Sequence, residues 1–335
     1  MRAVIYRETG PSGVLRIVDR PIAEPGPDEV RVRVHLSGVN PTDWKAREGG
    51  GRPAPFPEVV PNQDGAGVID AVGPGVDPAR VGERVWIWEA AYRRADGTAQ
   101  EYVVLPSVQA VGLPDSASFE LGASLGIPFL TAHRCLTVNE GGPERLAPGA
   151  LDGRTVLVAG GAGAVGNAAI QLARWAGASV IATVSSPAKA QLAKAAGANE
   201  VIDYRTQDVV AEIRAISARG VDTIVEVTAA NAAIDAAVIG LHGTVAIYAS
   251  GGGDLTLPVR PLLAPNARWQ FVLVYTLPDA AKIAGIEAVR AAVADGALRV
   301  GDEAGLPLHH FPLEQAAAAH DAVQAGAVGK VLIDL

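Results

Sequence analysis

"TVLVAGGAGAVGNAAIQLARWAG", Thr155 to Gly177, runs from an apolar stretch through a glycine cluster into an alanine-rich segment with recurring long apolar residues. "TVLVA" predicts a buried strand, and the pattern from about Val165 predicts a helix. Between them Gly161, Gly163 and Gly166 fit G-x-G-x-x-G, with Gly160 one place earlier. In that setting the first glycine permits a tight turn, the second lets a pyrophosphate approach the backbone, and the third lets helix and strand pack closely. Unpaired amides at the helix N-terminus then meet negative charge, which makes Gly161, Ala162, Gly163, Ala164, Val165 and Gly166 the expected cofactor-binding residues of this turn. A bare glycine string is a weak signal; its position after a buried strand and before a helix favours a dinucleotide site over a simple turn. No GK[ST] follows, which argues against a P-loop.

Downstream, "SVIATVSS", "EVIDY", "DTIVEVT" and "GTVAIYAS" alternate with helical patterns. Near-continuous apolar strands alternating with helices indicate a parallel, doubly wound sheet covered on both faces. A carboxylate at the end of the second strand would bind the ribose 2′-hydroxyl of NAD and repel a 2′-phosphate. Here the sequence reads "IATVSSPAKAQ", with Ser185, Ser186 and Lys189 and no acid. Neutral hydroxyls and one cation predict NADPH.

Upstream the texture is that of strands: "RAVIY", "EVRVRVHL", "GAGVIDAV", "ERVWIW" and "EYVVL", punctuated by Pro and Gly. "EVRVRVHL" puts valines on one face and Arg31 and Arg33 on the other, so this half reads as mostly antiparallel β structure. "GGGRPAPFPEVVP" is a loop. The last strand, "KVLIDL", resembles the early ones and is expected to return to them. The nucleotide domain then becomes an insertion at 118–265, with 1–117 and 266–335 forming the other domain.

The 335 residues exceed one ordinary core, and 49% hydrophobic with 19% charged residues describes a folded protein. No apolar run approaches the ~20 residues of a spanning helix. "MRAVIYRETG" turns polar too early for a signal peptide, so a cytoplasmic location is expected. A net charge of −8 argues against nucleic acid. The lone Cys135 excludes an internal disulfide and a multi-cysteine zinc cluster. The six histidines are scattered without metal-ligand spacing.

"SGVNPTDWKAREGG", "NQDGAGVIDAVGPGVDPARVGERVW", "IPFLTAHRCL", the glycine cluster and "AHDAVQAGAVGKVLI", in that order, resemble the medium-chain dehydrogenase/reductase superfamily. Within it they are most similar to the zinc-free quinone oxidoreductases, the zeta-crystallin-like branch. The resemblance spans nearly the whole chain and is weakest at "EAAYRRADG" and over 258–305. It implies an α/β fold in which a Rossmann doubly wound parallel sheet is inserted in a GroES-like, mostly antiparallel β domain. It also implies a homodimer built on the strands near "GTVAIYAS" and "WQFVLVY". NADPH is the implied cofactor, with no flavin. The superfamily's zinc-dependent alcohol dehydrogenases carry a cysteine where Asn40 stands and a His-Glu pair where Gln63 and Asp64 stand, so the resemblance implies no zinc here.

Residue by residue, the resemblance places Asn40 at the nicotinamide end of the site and Thr131 near the carboxamide. It puts Lys189 and Tyr204 around the 2′-phosphate. Tyr248 and Ser250 fall on the last-strand loop beneath the cofactor, and Thr228 joins the cofactor residues. Lys45 stands where many quinone reductases have tyrosine, and an ammonium there would stabilise charge on a carbonyl oxygen as hydride arrives. A surface lysine beside Trp44 is the competing reading. The acceptor is expected against Trp44 and the loop containing Tyr92. A quinone is the leading substrate class. Activated C=C bonds of enones, alkenals or enoyl thioesters are the alternative, and a catalytically weak NADPH-binding protein a third. A short-chain dehydrogenase is disfavoured because no Y-x-x-x-K pair occurs.

Overall fold

The computed structural model describes residues 1–251 and 253–335. Its strands and helices in chain order begin with β1 (Arg2–Ile5), β2 (Arg16–Asp19), β3 (Glu29–Val39), α1 (Pro41–Glu48) and β4 (Asp64–Val72). Next come β5 (Arg84–Ile87), β6 (Tyr102–Pro106), β7 (Ala110–Gly112) and the long α2 (Phe119–Leu136). The alternating series follows: β8 (Thr155–Ala159), α3 (Ala164–Trp175), β9 (Ser179–Val184), α4 (Pro187–Ala195), β10 (Glu200–Asp203), α5 (Val209–Ile216), β11 (Val221–Thr228), α6 (Ala232–Val238) and β12 (Ile239–Gly251). The chain ends with α7 (Val259–Leu263), β13 (Arg268–Phe271), α8 (Asp279–Ala294), β14 (Leu308–Pro312), α9 (Ala316–Gln324) and β15 (Lys330–Asp334).

Two compact units result: residues 1–127 with 307–335, and residues 128–306. In the first, the sheet order is β14-β15-β3-β4-β5-β7, with β6 also on β3. All pairings are antiparallel except β14 with β15. The terminal strand does return, pairing β3 in the register Val331↔Val39. Period-two patterning decides the faces of β3: Val30, Val32 and Val34 are buried, while Arg31 forks onto Asp70, with Nε to Oδ1 at 2.9 Å.

The second unit carries a six-stranded, wholly parallel sheet in the order β10-β9-β8-β11-β12-β13. The order reverses at β8, the switch point outside whose carboxyl end ligands bind in doubly wound folds. Leu157, Ile181, Ile224 and Val245 pack the strands together, each contributing about 1.5–3 kcal/mol by leaving water.

Both boundaries differ from 117/118 and 265/266. The first half of α2 packs within the first unit: His35 stacks on Phe119 at 4.5 Å, and Gly38 lies so close that a Cβ would stand 2.2 Å from the Ala123 carbonyl oxygen. The segment up to Leu306 stays with the second unit because side chains of α3 hold it. Asn167 Nδ2 donates to the Ala304 carbonyl at 2.8 Å, Gln171 exchanges two hydrogen bonds with the Arg299 backbone, and Trp175 Nε1 donates to Asp295 at 2.9 Å. No texture in the sequence announces these polar ties.

Candidate functional site

The turn after β8 is built by steric exclusion. Gly160 takes the left-handed conformation, with φ +67°. The tight-turn role therefore falls one residue earlier than the motif places it. Gly161 does a different job: a Cβ there would meet Ala182 Cβ at 2.8 Å and Ile170 Cδ1 at 3.2 Å. Gly166 has the expected close approach, since its Cβ would lie 2.3 Å from the Gly160 carbonyl oxygen. Gly163 is exposed, and only that same oxygen, at 3.4 Å, would touch a Cβ added there. The first bond of α3 runs from Asn167 N–H to Gly163 O at 2.8 Å. The amides of Ala164, Val165 and Gly166 thus lack helical acceptors, and no acidic side chain occupies the first turn. Ala162 is buried beneath the turn. Such a cradle suits a diphosphate.

Ser185, Ser186, Lys189 and Tyr204 meet at the carboxyl ends of β9 and β10. Lys189 Nζ donates to Ser185 Oγ at 3.2 Å. Ser186 N-caps α4, its Oγ accepting the Lys189 N–H at 3.3 Å. Tyr204 N–H donates to the Val184 carbonyl at 3.0 Å, which ties the backbone of this exposed residue to the end of β9, just before the serines. Arg205, next along and exposed, is a second cation at this corner that the sequence reading passed over.

Thr228, at the end of β11, accepts the Ala230 N–H and donates to the Gly251 carbonyl at 3.1 Å. Thr131 is buried on α2, and Ser250 is exposed at the end of β12. Half-buried Tyr248 precedes it, its hydroxyl pKa pushed far up by desolvation. The Thr228 turn rests on a carboxyl pair that sequence alone did not reveal. Buried Glu226 accepts the N–H groups of Val227 at 2.7 Å and Thr228 at 2.8 Å, and Asn231 Nδ2 bonds both of its oxygens. Asp235, buried on α6, hydrogen-bonds to Glu226; burial first, and then the Glu226 charge, hold its pKa well above the carboxylate range. The folded chain keeps a proton there that the unfolded chain releases near pH ~4, so stability is full below that pH and falls as pH rises toward the alkaline range. Asp235→Asn keeps a donor in place with no proton to lose. Its thermal midpoint is expected to fall less than that of the wild type between about pH 5 and about pH 8. Parallel midpoint curves would contradict the shared proton.

In the first unit, Asn40 N-caps α1, and its backbone N–H donates to Asp43 Oδ2 at 2.7 Å. Its side chain serves elsewhere. Nδ2 donates to Asp64 Oδ2 at 2.7 Å, while Oδ1 accepts from Lys330 Nζ at 2.9 Å. Lys330 also pairs with Asp64 Oδ2 at 3.1 Å, and Asp64 Oδ1 accepts the Ile127 N–H at 2.8 Å. Burial pushes the Asp43 carboxyl up to about 8, overcoming the Asn40 and Gln63 N–H groups and Lys330, with Asp64 adding to the shift. A buried chain continues outward: Thr98 Oγ1 donates to the Asp64 carbonyl, Ser37 joins Thr98, Asn62 Nδ2 donates to Ser37, and His320 Nε2 meets Asn62 Oδ1 at 3.0 Å. Burial and then Arg47 lower His320 to about 3, so it is neutral and Nε2 carries the proton. Lys45 lies on the exposed face of α1, its ammonium 5.6 Å from the Trp44 ring centroid. The structure shows no contact between Lys45 and Asn40; α1 buries Asp43 and Arg47 on its other face. Tyr92 is half-buried under the Arg93 guanidinium, 5.2 Å from the ring centroid.

Zinc chemistry does not fit Asn40, Gln63 and Asp64. Both Asp64 oxygens and the Asn40 carbonyl are taken, and the Lys330 ammonium already supplies the positive charge. Gln63 Oε1 accepts the Ala91 N–H. Among the described residues no group of three His, Cys, Asp or Glu side chains could hold a metal ion. Zinc prefers thiolate and imidazole donors, and neither is present here. The same residues show no helix long and apolar enough to cross a membrane.

Residues 26–115 match the alcohol dehydrogenase GroES-like domain family, and residues 164–300 match the zinc-binding dehydrogenase family. The chain is 30% identical to the quinone oxidoreductase of Rattus norvegicus, across 99% of this chain and 97% of that one. Among solved structures, an NAD-dependent alcohol dehydrogenase superposes with a TM-score of 0.85 at 32% identity over 100% of both chains. A mycobacterial protein solved in complex with NADPH superposes with a TM-score of 0.80 at 29% identity, again over 100% of both chains. With its inserted parallel sheet and glycine turn, the chain belongs to the quinone oxidoreductase branch of the medium-chain dehydrogenase/reductase superfamily and is an NAD(P)-dependent oxidoreductase.

Proposed function

We propose that this protein is an NADPH-dependent reductase that transfers hydride to a quinone without zinc. The observation that carries this reading is the corner of Ser185, Ser186 and Lys189, where the segment that follows the second strand of the parallel sheet offers hydroxyls and a cation and no acid of its own. Relatives similar to this chain include a quinone oxidoreductase and a protein that binds NADPH, which supports it. NADPH, when bound, supplies the hydride. The exposed Gly163 and the free amides of Ala164, Val165 and Gly166 hold the diphosphate. Lys189, with the hydroxyls of Ser185 and Ser186 and the ring of Tyr204, holds the 2′-phosphate. Thr131, Thr228, Tyr248 and Ser250 complete the cofactor contacts.

Asn40 and Lys45 serve the acceptor, beside Trp44 and Tyr92. As a quinone takes hydride, negative charge grows on its oxygen, and a donor aimed there lowers the barrier. Water can deliver the protons that complete the hydroquinone, so no dedicated acid is required. The same donors suit the enolate of an enone, which makes activated C=C bonds the second substrate class. Steady-state assays with quinones, enones and enoyl thioesters, each with NADPH and NADH, test the reading. Quinone turnover with NADPH preferred is the expected result, and no turnover of any acceptor would leave a cofactor-binding protein. Lys45→Met is expected to lower kcat about three- to tenfold with NADPH affinity unchanged; equal turnover would return Lys45 to the surface-lysine reading.

We propose that the protein works in the cytoplasm as a homodimer. β13 is an edge strand, pairing only with β12 among the described residues, and its last residue, Phe271, is 63% exposed. A second copy covering that edge removes the hazard of an open, apolar strand. Sedimentation velocity should show a dimer for the wild type and a monomer for Phe271→Glu; a wild-type monomer at micromolar concentration would exclude this assembly.

A further inference from the structure

The Lys330 ammonium is 1% exposed, and its seat is built for it. Its stem passes over Gly38, where a Cβ would come within 2.9 Å of Lys330 Cε and 3.1 Å of Nζ. Burying a lysine is costly, and a buried ion pair is replaced by apolar or neutral groups with little loss of stability. Stability alone therefore does not account for this lysine. What it does locally is define one amide. A carboxamide has one carbonyl and two N–H groups. In Asn40 the carbonyl faces the ammonium at 2.9 Å and one N–H faces Asp64 at 2.7 Å. Flipping the amide would set NH₂ against NH₃⁺ and C=O against a carboxylate, so only one orientation is tolerable. Among the described residues no acceptor meets the second Nδ2 hydrogen, and its direction is fixed. A cation on the carbonyl also draws electron density from the nitrogen and strengthens the remaining N–H as a donor.

We propose that Lys330 is a positioning residue for the reduction: with Asp64 it locks and polarises the Asn40 amide so that the free N–H is presented to the acceptor oxygen as charge develops. This rests on the reading of Asn40 given under the proposed function. The test pairs Lys330→Met with Asp64→Asn, which removes both charges together; the one amide oxygen left at 64 can face Asn40 or the Ile127 N–H, not both. Expected is a folded protein whose thermal midpoint drops by about a few degrees for the lost buried acceptor, with NADPH Kd close to wild type, kcat down about tenfold or more and acceptor KM little changed. In an Asn40→Ala background the same two substitutions should cost nothing further. A kcat within about twofold of wild type, or an equal fold-loss in the Asn40→Ala background, would overturn the proposal. If Asn40→Ala alone leaves turnover intact, the fault lies in the assignment of Asn40, and the proposal falls with it. A second readout needs no variant: in ¹⁵N spectra of the wild-type apoprotein, one Asn40 side-chain N–H should exchange slowly and the other should shift when 1,4-naphthoquinone is added. Two equally protected hydrogens that ignore the quinone would refute it.

Discussion

Gly163→Val is expected to melt where the wild-type protein melts and yet to bind NADPH about two orders of magnitude more weakly, or worse. Position 163 is exposed, does not require a positive φ, and has open space around it apart from the Gly160 carbonyl oxygen at 3.4 Å. A valine therefore costs the fold little. It projects, however, into the space through which a diphosphate must reach the amides of Ala164 to Gly166. Charge-assisted hydrogen bonds contribute about 1.5–3 kcal/mol each, and losing two of them accounts for the expected change. Gly166→Val is the contrasting control. There the new Cβ starts 2.3 Å from the Gly160 carbonyl oxygen, so the turn itself must move and the midpoint should drop. Calorimetric titration with NADPH alongside thermal melts separates the two. Gly163→Val binding NADPH within about threefold of wild type would remove the glycine turn from the cofactor site.

Lys189→Glu is expected to lower the preference for NADPH over NADH by about a hundredfold. The substitution removes the cation bonded to Ser185 and sets a carboxylate where the 2′-phosphate is proposed to lie. Repulsion acts only on the phosphorylated cofactor. NADH meets instead an acid able to accept its ribose 2′-hydroxyl, the usual arrangement for that cofactor. The ratio of kcat/KM values for the two cofactors is the measurement. An unchanged ratio would shift the selecting charge to Arg205, exposed at the same corner.

How much of this was legible beforehand depended on the range of the interaction. The βα series from Thr155 onward was readable because strand and helix periods differ and each is expressed within about a dozen residues. Ser185, Ser186 and Lys189 were readable as a group because they follow one strand end; Tyr204 came from the resemblance, and the pairing of β10 with β9 is what brings it near them. Lys330 was not. It begins an apolar strand, and its meaning depends on the antiparallel register Val331↔Val39, which brings it to Asn40 and Asp64 from 290 and 266 residues away. Glu226 and Asp235 read as ordinary acids on a strand and a helix until β11 and α6 bring them together, both buried.

From its residues alone this chain specified an inserted parallel sheet, a glycine turn at its switch point, an acid-free second strand end and a last strand that returns to the first sheet. All of these follow from patterning and from the steric freedom of glycine, which are local properties. Only the tertiary structure decided that Gly160 rather than Gly161 takes the left-handed turn, that the second unit extends to Leu306, and that a buried lysine hydrogen-bonds Asn40. Those outcomes depend on which distant backbones approach within a few ångströms of one another, and a linear pattern does not encode that distance.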